Sequence, residues 1–143
     1  MKAEHTMKLM TANHPATDSA GSPPEAGQVL ALANNVDPCE LALDGVTRIE
    51  LNFPKFTDGR AFSQAFLLRR RLGFAGELRA TGDVLIDQLL QMKRSGFDSA
   101  VLRADQNPDF AQRQLERYPA FYQGDVGSSA PRFTATRSSE VQA

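Results

Sequence analysis

A short sequence pattern that occurs twice constrains the fold of this chain. The sequence RRLGF at 70–74, followed by LRA at 78–80, returns as KRSGF at 93–97, followed by LRA at 102–104. Each copy is typical of a helix end, since basic residues complement the helix dipole, a glycine takes the left-handed cap conformation, and a phenylalanine folds back on the last turn. A short strand follows each copy, so the pattern predicts consecutive βα units.

Hydrophobic periodicity and helix-capping residues predict the elements around this pattern. The predicted strands are 29–33, 47–53, 76–81 and 99–104, and the predicted helices are 58–72, 84–95 and a last one that opens at 107–108. Strands that alternate with helices in this way indicate an α/β protein with a parallel sheet and right-handed crossovers.

The predicted strands are apolar on one side and polar on the other. The polar positions are Glu50, Asn52, Glu77, Arg79, Thr81, Arg103 and Asp105. Helices on one face and a polar opposite face favour a half-barrel, built from three to four βα units, whose inner side resembles the lumen of a (βα)8 barrel. An open sheet whose polar face is covered by the chain ends or by a second copy is the alternative.

The chain has material for one compact domain. It contains 143 residues, of which 41% are hydrophobic. Residues 1–28 and 124–143 are rich in small and polar residues without apolar periodicity, so we expect a disordered leader and a disordered tail. A single βα-repeat domain is predicted at 29–123.

Charge and cysteine content limit the partners and the compartment. The net charge is −1, which does not favour a binder of nucleic acid or of an anionic membrane. Cys39 is the only cysteine, so no intramolecular disulfide can form. With no apolar stretch long enough for a signal peptide or a membrane span, a cytoplasmic protein is predicted.

Several kinds of catalytic chemistry lack their usual residues here. The only histidines, His5 and His14, fall in the predicted leader, which argues against a Ser-His-Asp triad and against the common zinc and haem sites. Neither a Rossmann glycine motif nor a P-loop occurs. No metal site and no cofactor is predicted.

Some candidate ligand-binding residues follow the predicted strands, where parallel βα proteins usually bind ligands, and the others lie on the polar face of those strands. These candidates are Lys55, Asp58, Arg60, Glu77, Arg79, Asp83 and Arg103. Cations beside a helix N-terminus suggest a bound anion, although solvated loop cations explain Lys55 and Arg60 as well. Helix capping alone explains Asp58 and Asp83. We expect Glu77, Arg79 and Arg103 to project at matching levels of adjacent strands, as an ion-pair network or as an oxyanion site.

Three motifs resemble those of a bacterial family of uncharacterised small proteins, described as probable oxidoreductases involved in sulfite reduction and encoded beside assimilatory sulfite reductase. The motifs are FPKFTDGRAFS at 53–63, GELRATGDVLIDQ at 76–88 and GFD at 96–98, within a resemblance that covers 43–123. The family motifs carry over to Lys55, Asp58, Arg60, Glu77, Arg79, Asp83 and Asp87. The resemblance implies a role in sulfur assimilation.

We therefore predict an accessory or regulatory protein of assimilatory sulfite reduction. It would bind sulfite reductase, another protein of that system, or a small oxyanion at the C-terminal rim of the sheet. A small enzyme is the alternative, either a reductase with a cofactor held between subunits or a lyase-type catalyst that uses Glu77 and Lys55. A homodimer that joins two polar faces is also open.

Overall fold

A computed structural model describes residues 6–12, 27–118 and 121–130. The strands within these ranges are β1 (Lys8–Thr11), β2 (Gln28–Leu32), β3 (Val46–Phe53), β4 (Glu77–Gly82) and β5 (Ser99–Leu102). The α-helices within the same ranges are α1 (Arg60–Phe66), α2 (Leu89–Ser95) and α3 (Pro108–Glu116).

The strands form one parallel sheet in the order β1-β5-β4-β3-β2. β3, β4 and β5 are each followed by a helix, which confirms the predicted α/β architecture of consecutive βα units. β2 joins β3 through a short 3-10 turn at Pro38–Glu40. β2, β3 and β4 each lie beside the next strand in the chain, so the C-terminal ends of β2, β3, β4 and β5 meet along one edge of the sheet.

β1 corrects the predicted disordered leader. Lys8–Thr11 lies inside the range 1–28, yet it pairs in parallel with β5 at the edge of the sheet. Four residues are too few to show a period, and the partner strand is distant in the sequence, so the local pattern could not predict this strand. The rest of that range includes both histidines, and they fall outside the described residues.

One face of the sheet forms the hydrophobic core. Ile49, Leu51 and Phe53 of β3 are completely buried, and all three helices add buried side chains to the same cluster. The Phe53 ring lies 5.0 Å from the ring of Phe62 on α1 and 5.8 Å from that of Phe97, centroid to centroid. The apolar face therefore fixes the helices, and the polar side chains of the strands are left on the other face.

The repeated helix endings are confirmed. Gly73 and Gly96 have φ angles of 66° and 110°. The N–H of Phe97 bonds the carbonyl of Met92 at 3.1 Å, the six-to-one bond of a Schellman cap. The first helix differs from its prediction, because α1 continues as a π-helical turn at Leu67–Arg71. The second begins late, after a 3-10 turn at Ile86–Gln88.

Arg69 ties the two repeats together. Its guanidinium donates to the carbonyls of Phe74 (2.8 Å), Gly76 (2.7 Å) and Gly96 (3.0 Å). It also forms an ion pair with Asp98, whose carboxylate accepts the backbone N–H of Leu78 in β4. The side chain of Arg69 is only 14% exposed, so one cation satisfies backbone groups at the ends of both repeats.

Part of the predicted tail contacts the helical layer. The Asp125 carboxylate accepts a hydrogen bond from Arg94 at 3.1 Å, and the Asp125 carbonyl accepts one from Arg70 at 2.8 Å. The N–H of Val126 bonds the carbonyl of Arg94. These contacts place Asp125 and Val126 against the ends of the first two helical segments, while 131–143 fall outside the described residues.

Candidate functional site

Five of the seven predicted site residues lie at the C-terminal edge of the sheet, in its loops or at the start of α1. Together with Asp105 they form what we call the rim cluster. Its members are Lys55, Asp58, Arg60, Asp83, Arg103 and Asp105. The parallel arrangement brings these loops together, because β3, β4 and β5 all end at this edge.

Arg103 is held between two carboxylates. It donates to Asp83 at 2.8 Å and makes two bonds of 2.6 Å to the two oxygens of Asp105. The bonds from Arg103 lower the pKa of Asp105 to about 2, and they also lower the pKa of Asp83, with help from a backbone N–H. The two carboxylates raise the pKa of Arg103 further above its ordinary value. Arg103 therefore carries a positive charge that Asp83 and Asp105 already balance.

Asp83 also fixes the loop that follows β3. Its second oxygen accepts the backbone N–H of Phe56 at 2.8 Å. The carbonyl of Phe56 accepts a hydrogen bond of 2.6 Å from the side-chain amide of Gln88. Asp83 does not cap a helix as predicted, since α2 begins at Leu89 and the preceding 3-10 turn has Leu85 as its N-cap. The carboxylate is used instead to join neighbouring loops.

Asp58 and Arg60 form the second ion pair of the rim. Arg60 donates to both oxygens of Asp58, at 2.8 and 3.1 Å, and Asn34 adds a bond of 2.7 Å from the loop after β2. The bond from Arg60 is the main reason that the pKa of Asp58 lies well below its usual range. The N-cap of α1 is Gly59, and Asp58 accepts the N–H of Arg60 from one position earlier, at 3.3 Å. The contact is therefore a loop ion pair with a weak capping bond.

Glu77 and Arg79 belong to a different group, on the polar face of the sheet. We call Arg48, Glu50, Glu77, Arg79 and Ser99 the face cluster. Arg79 is only 8% exposed and donates to one oxygen of Glu77 at 2.9 Å. The Ser99 hydroxyl donates to that oxygen at 2.6 Å. Burial raises the pKa of Glu77, but the bonds from Ser99 and Arg79 outweigh it, so the net shift is downward.

Arg103 does not lie at the level of Arg79, which corrects the expectation of matching levels. The register pairs Arg79 with Ser99, and Arg103 follows four residues later, after β5 has ended (103 − 99 = 4). At about 3.3 Å per residue, four residues correspond to roughly 13 Å along the strand. The repeated LRA sequence misled the prediction because its two arginines are 24 residues apart (103 − 79 = 24), whereas the strand register pairs residues that are 20 apart (99 − 79 = 20).

The two residues of the predicted lyase-type catalyst also lie apart. Glu77 is the first residue of β4, whereas Lys55 follows the end of β3, where Phe53 pairs with Gly82 at the last position of β4. Five residues of strand separate those levels, which is roughly 16 Å. The geometry therefore gives Glu77 and Lys55 no shared reaction centre.

Lys55 differs from the other basic residues of the rim. It is exposed, and no carboxylate within the described ranges pairs with it. Arg60 and Arg103 each face an aspartate within hydrogen-bond distance. A small oxyanion at either arginine would compete with a carboxylate that is already in place, so the arrangement favours a structural role for the arginines.

A shallow cleft of about 440 Å³ opens beside Arg103. It lies between the 3-10 turn before α2 and the helix α3. Its lining residues are Leu85, Ile86, Asp87, Arg103, Gln106 and Gln114. The Gln106 side chain already accepts the N–H of Ile86 at 3.2 Å. The cleft therefore places the side-chain amides of Gln106 and Gln114 beside Arg103, whose charge is balanced by Asp83 and Asp105.

Three residues that hold these clusters were not among the candidate site residues predicted from the sequence. Ser99 and Asp105 bind the predicted residues Glu77 and Arg103, and Phe56 provides the backbone contacts of the rim. Asp105 could have been found, because a carboxylate two residues after an arginine at a strand end can fold back on it. The contacts of Ser99 and Phe56 depend on strand register and loop path, which the sequence does not display.

Within 6–12, 27–118 and 121–130, no three His, Cys, Asp or Glu side chains are placed to hold a metal ion. In the same part of the chain, no helix has the length and apolar character needed to cross a bilayer.

Residues 28–133 match the model of a family described as "Bacterial protein of unknown function (DUF934)". The matched range holds β2 to β5, the three helices and the whole rim cluster, and it begins after β1. No curated protein and no solved structure matches the chain significantly.

Proposed function

We propose that this chain, which belongs to the bacterial family of unknown function DUF934, is a non-catalytic accessory protein of assimilatory sulfite reduction. It acts by binding a protein of the sulfite reductase system at the rim of its sheet. The observation that carries the proposal is the position of Asp83, which fixes the loop after β3 through Phe56 and holds Arg103 at the same time.

Internal pairing favours a protein partner over a small oxyanion. The arginines of the rim cluster, Arg60 and Arg103, already donate hydrogen bonds to its aspartates, which are Asp58, Asp83 and Asp105. The Arg103–Asp83 pair and the Phe56–Asp83 bond together hold the loops after β3, β4 and β5 in one arrangement, without leaving a convergent set of free donors. A preorganised surface of this kind reduces the ordering cost of binding a macromolecule.

The link to sulfite reduction comes from the motifs, and their positions support a shared binding role. The motif at 53–63 forms the end of β3, the rim loop and the start of α1, and the motif at 76–88 forms β4 and the loop that carries Asp83. The third, at 96–98, supplies the helix cap and Asp98, the partner of Arg69. The resemblance is thus concentrated in the rim and in the contact that supports it.

Growth of a deletion strain tests the pathway. We expect a strain without this chain to grow poorly on sulfate or sulfite as sole sulfur source and normally on sulfide. Normal growth on all three sources would remove the proposed role.

Direct binding tests the mechanism. The purified chain should form a complex with sulfite reductase from the same organism, measured by calorimetry or by co-elution. Sulfite and sulfate alone should produce no saturable heat with the chain. Saturable sulfite binding in the absence of any complex would favour the oxyanion alternative.

A further inference from the structure

The loop after β3 presents an exposed aromatic ring beside an unpaired cation on a fixed backbone. We propose that Lys55 and Phe56 are the contact residues of the rim, and that they insert into an apolar pocket edged by a carboxylate on the partner protein. This inference rests on the proposed function and names the surface that performs it.

Hydrogen bonds on both sides fix the backbone of this loop. The Phe56 N–H is bound by Asp83 at 2.8 Å and its carbonyl by Gln88 at 2.6 Å, from the loop and the 3-10 turn that follow β4. The carbonyl of Lys55 accepts the N–H of Asp58 at 2.9 Å, which closes the turn. The backbone groups are therefore used within the protein, and both side chains remain available.

The side chains of this loop point away from the core. Phe56 is 48% exposed, whereas Phe53 and Phe97 are fully buried. Pro54, Lys55 and Thr57 are exposed as well. A large apolar side chain on a preorganised backbone loses little conformational freedom when it enters a pocket, and aromatic residues are enriched where protein interfaces gain their free energy.

Charge decides which partner fits. Lys55 is the cation of the rim cluster that forms no ion pair with a carboxylate in the part of the chain that the structure describes. A carboxylate on the partner would complete the pairing pattern that Arg60 and Arg103 already show within the chain. An acidic residue at the mouth of an apolar pocket is therefore the matching chemistry, and part of the association should be sensitive to salt.

Two pairs of variants test this surface with purified sulfite reductase as the probe. Phe56→Ala and Lys55→Glu are each expected to weaken the complex about tenfold or more, and Lys55→Glu should also flatten its salt dependence. Phe66→Ala is the matched control for the aromatic ring, since Phe66 is 53% exposed on α1, among the residues of a separate cavity. Lys93→Glu, in the last turn of α2, is the control for the change of charge.

The outcomes separate this inference from the function on which it rests. Both controls should bind within about twofold of the original chain, and thermal unfolding should show that all four variants fold. If the original chain binds the reductase and the Phe56 and Lys55 variants bind equally well, the inference is overturned and the proposed function stands. If the original chain does not bind at all, the proposed function fails and the inference fails with it.

Discussion

Asp83 and Arg103 each stand four residues beyond the register pair formed by Arg79 and Ser99 (83 − 79 = 4 and 103 − 99 = 4), and their side chains form an ion pair of 2.8 Å. In a parallel ladder, residues at equal distances from a register pair remain opposite each other. The pairing of the two strands therefore continues past their ends as a contact between side chains. This contact joins the loops that follow β4 and β5.

Lowering the pH should weaken the ion pairs of the rim cluster before it weakens the packing of the hydrophobic core. The folded-state pKa values of Asp58, Asp83 and Asp105 are all lowered, so their contribution to stability is complete above the unfolded-state pKa of about 4 and is lost as the pH falls. For Asp105 the loss extends from pH 3.8 to about 2. Asp105→Asn should flatten this limb of stability against pH, measured by denaturant unfolding. An unchanged slope would contradict the ion-pair assignment.

Arg69 should matter far more to stability than its neighbour Arg70. Arg69→Met removes the guanidinium that donates to three carbonyls and to one oxygen of Asp98, so we expect a loss of about 3 kcal/mol and a fall in Tm of more than about 10 °C. Arg70→Met removes one exposed bond to Asp125 and should cost less than about 1 kcal/mol. Equal losses in calorimetry would show that Arg69 does not join the repeats.

The two cap glycines should respond differently to alanine. Both have positive φ angles, which cost an alanine roughly 1–2 kcal/mol. A Cβ at Gly73 would meet nothing within 4 Å, whereas a Cβ at Gly96 would approach Cγ of Arg69 to 2.7 Å. The guanidinium of Arg69 is anchored, so Gly96→Ala should cost at least about 1 kcal/mol more than Gly73→Ala in urea unfolding. A reversed order would mean that Arg69 moves aside easily.

Ser99 should control the ionisation of Glu77. Ser99→Ala removes a hydroxyl bond that favours the carboxylate, so the pKa of Glu77 should rise relative to the original chain. Thr81→Val is the control, because the Thr81 hydroxyl contacts the Leu51 carbonyl at 3.4 Å instead. An NMR titration of the Glu77 carboxyl measures both variants. A rise in the Thr81 variant alone would show that the face cluster is organised differently.

Local signals predicted much of this fold because they act over a few residues. The glycine caps, the basic helix ends and the alternation in β3 depend on neighbours within one turn or one strand, and the structure confirms them. β1 was missed because its pairing with β5 joins distant parts of the chain. The π-helical turn at Leu67–Arg71 was missed because its residues are ordinary helix formers.

The candidate site was predicted as one group and is in fact two. Glu77 and Arg79 lie together as expected, since alternate residues of a strand share a face. Arg103 was assigned to them from the repeated sequence, but strand register sets its level and places it with Asp83. The exposure of Phe56 could not be foreseen, because an aromatic residue in a loop motif looks the same whether it is buried or presented to a partner.

The edge position of β1 bears on how the protein can be shortened. A chain trimmed to the matched range would begin at Gln28 and lose the strand that covers the outer side of β5. The bare N–H and carbonyl groups of Ser99–Leu102 would then be free to pair with another molecule, so the trimmed protein should aggregate although its helices and rim are intact.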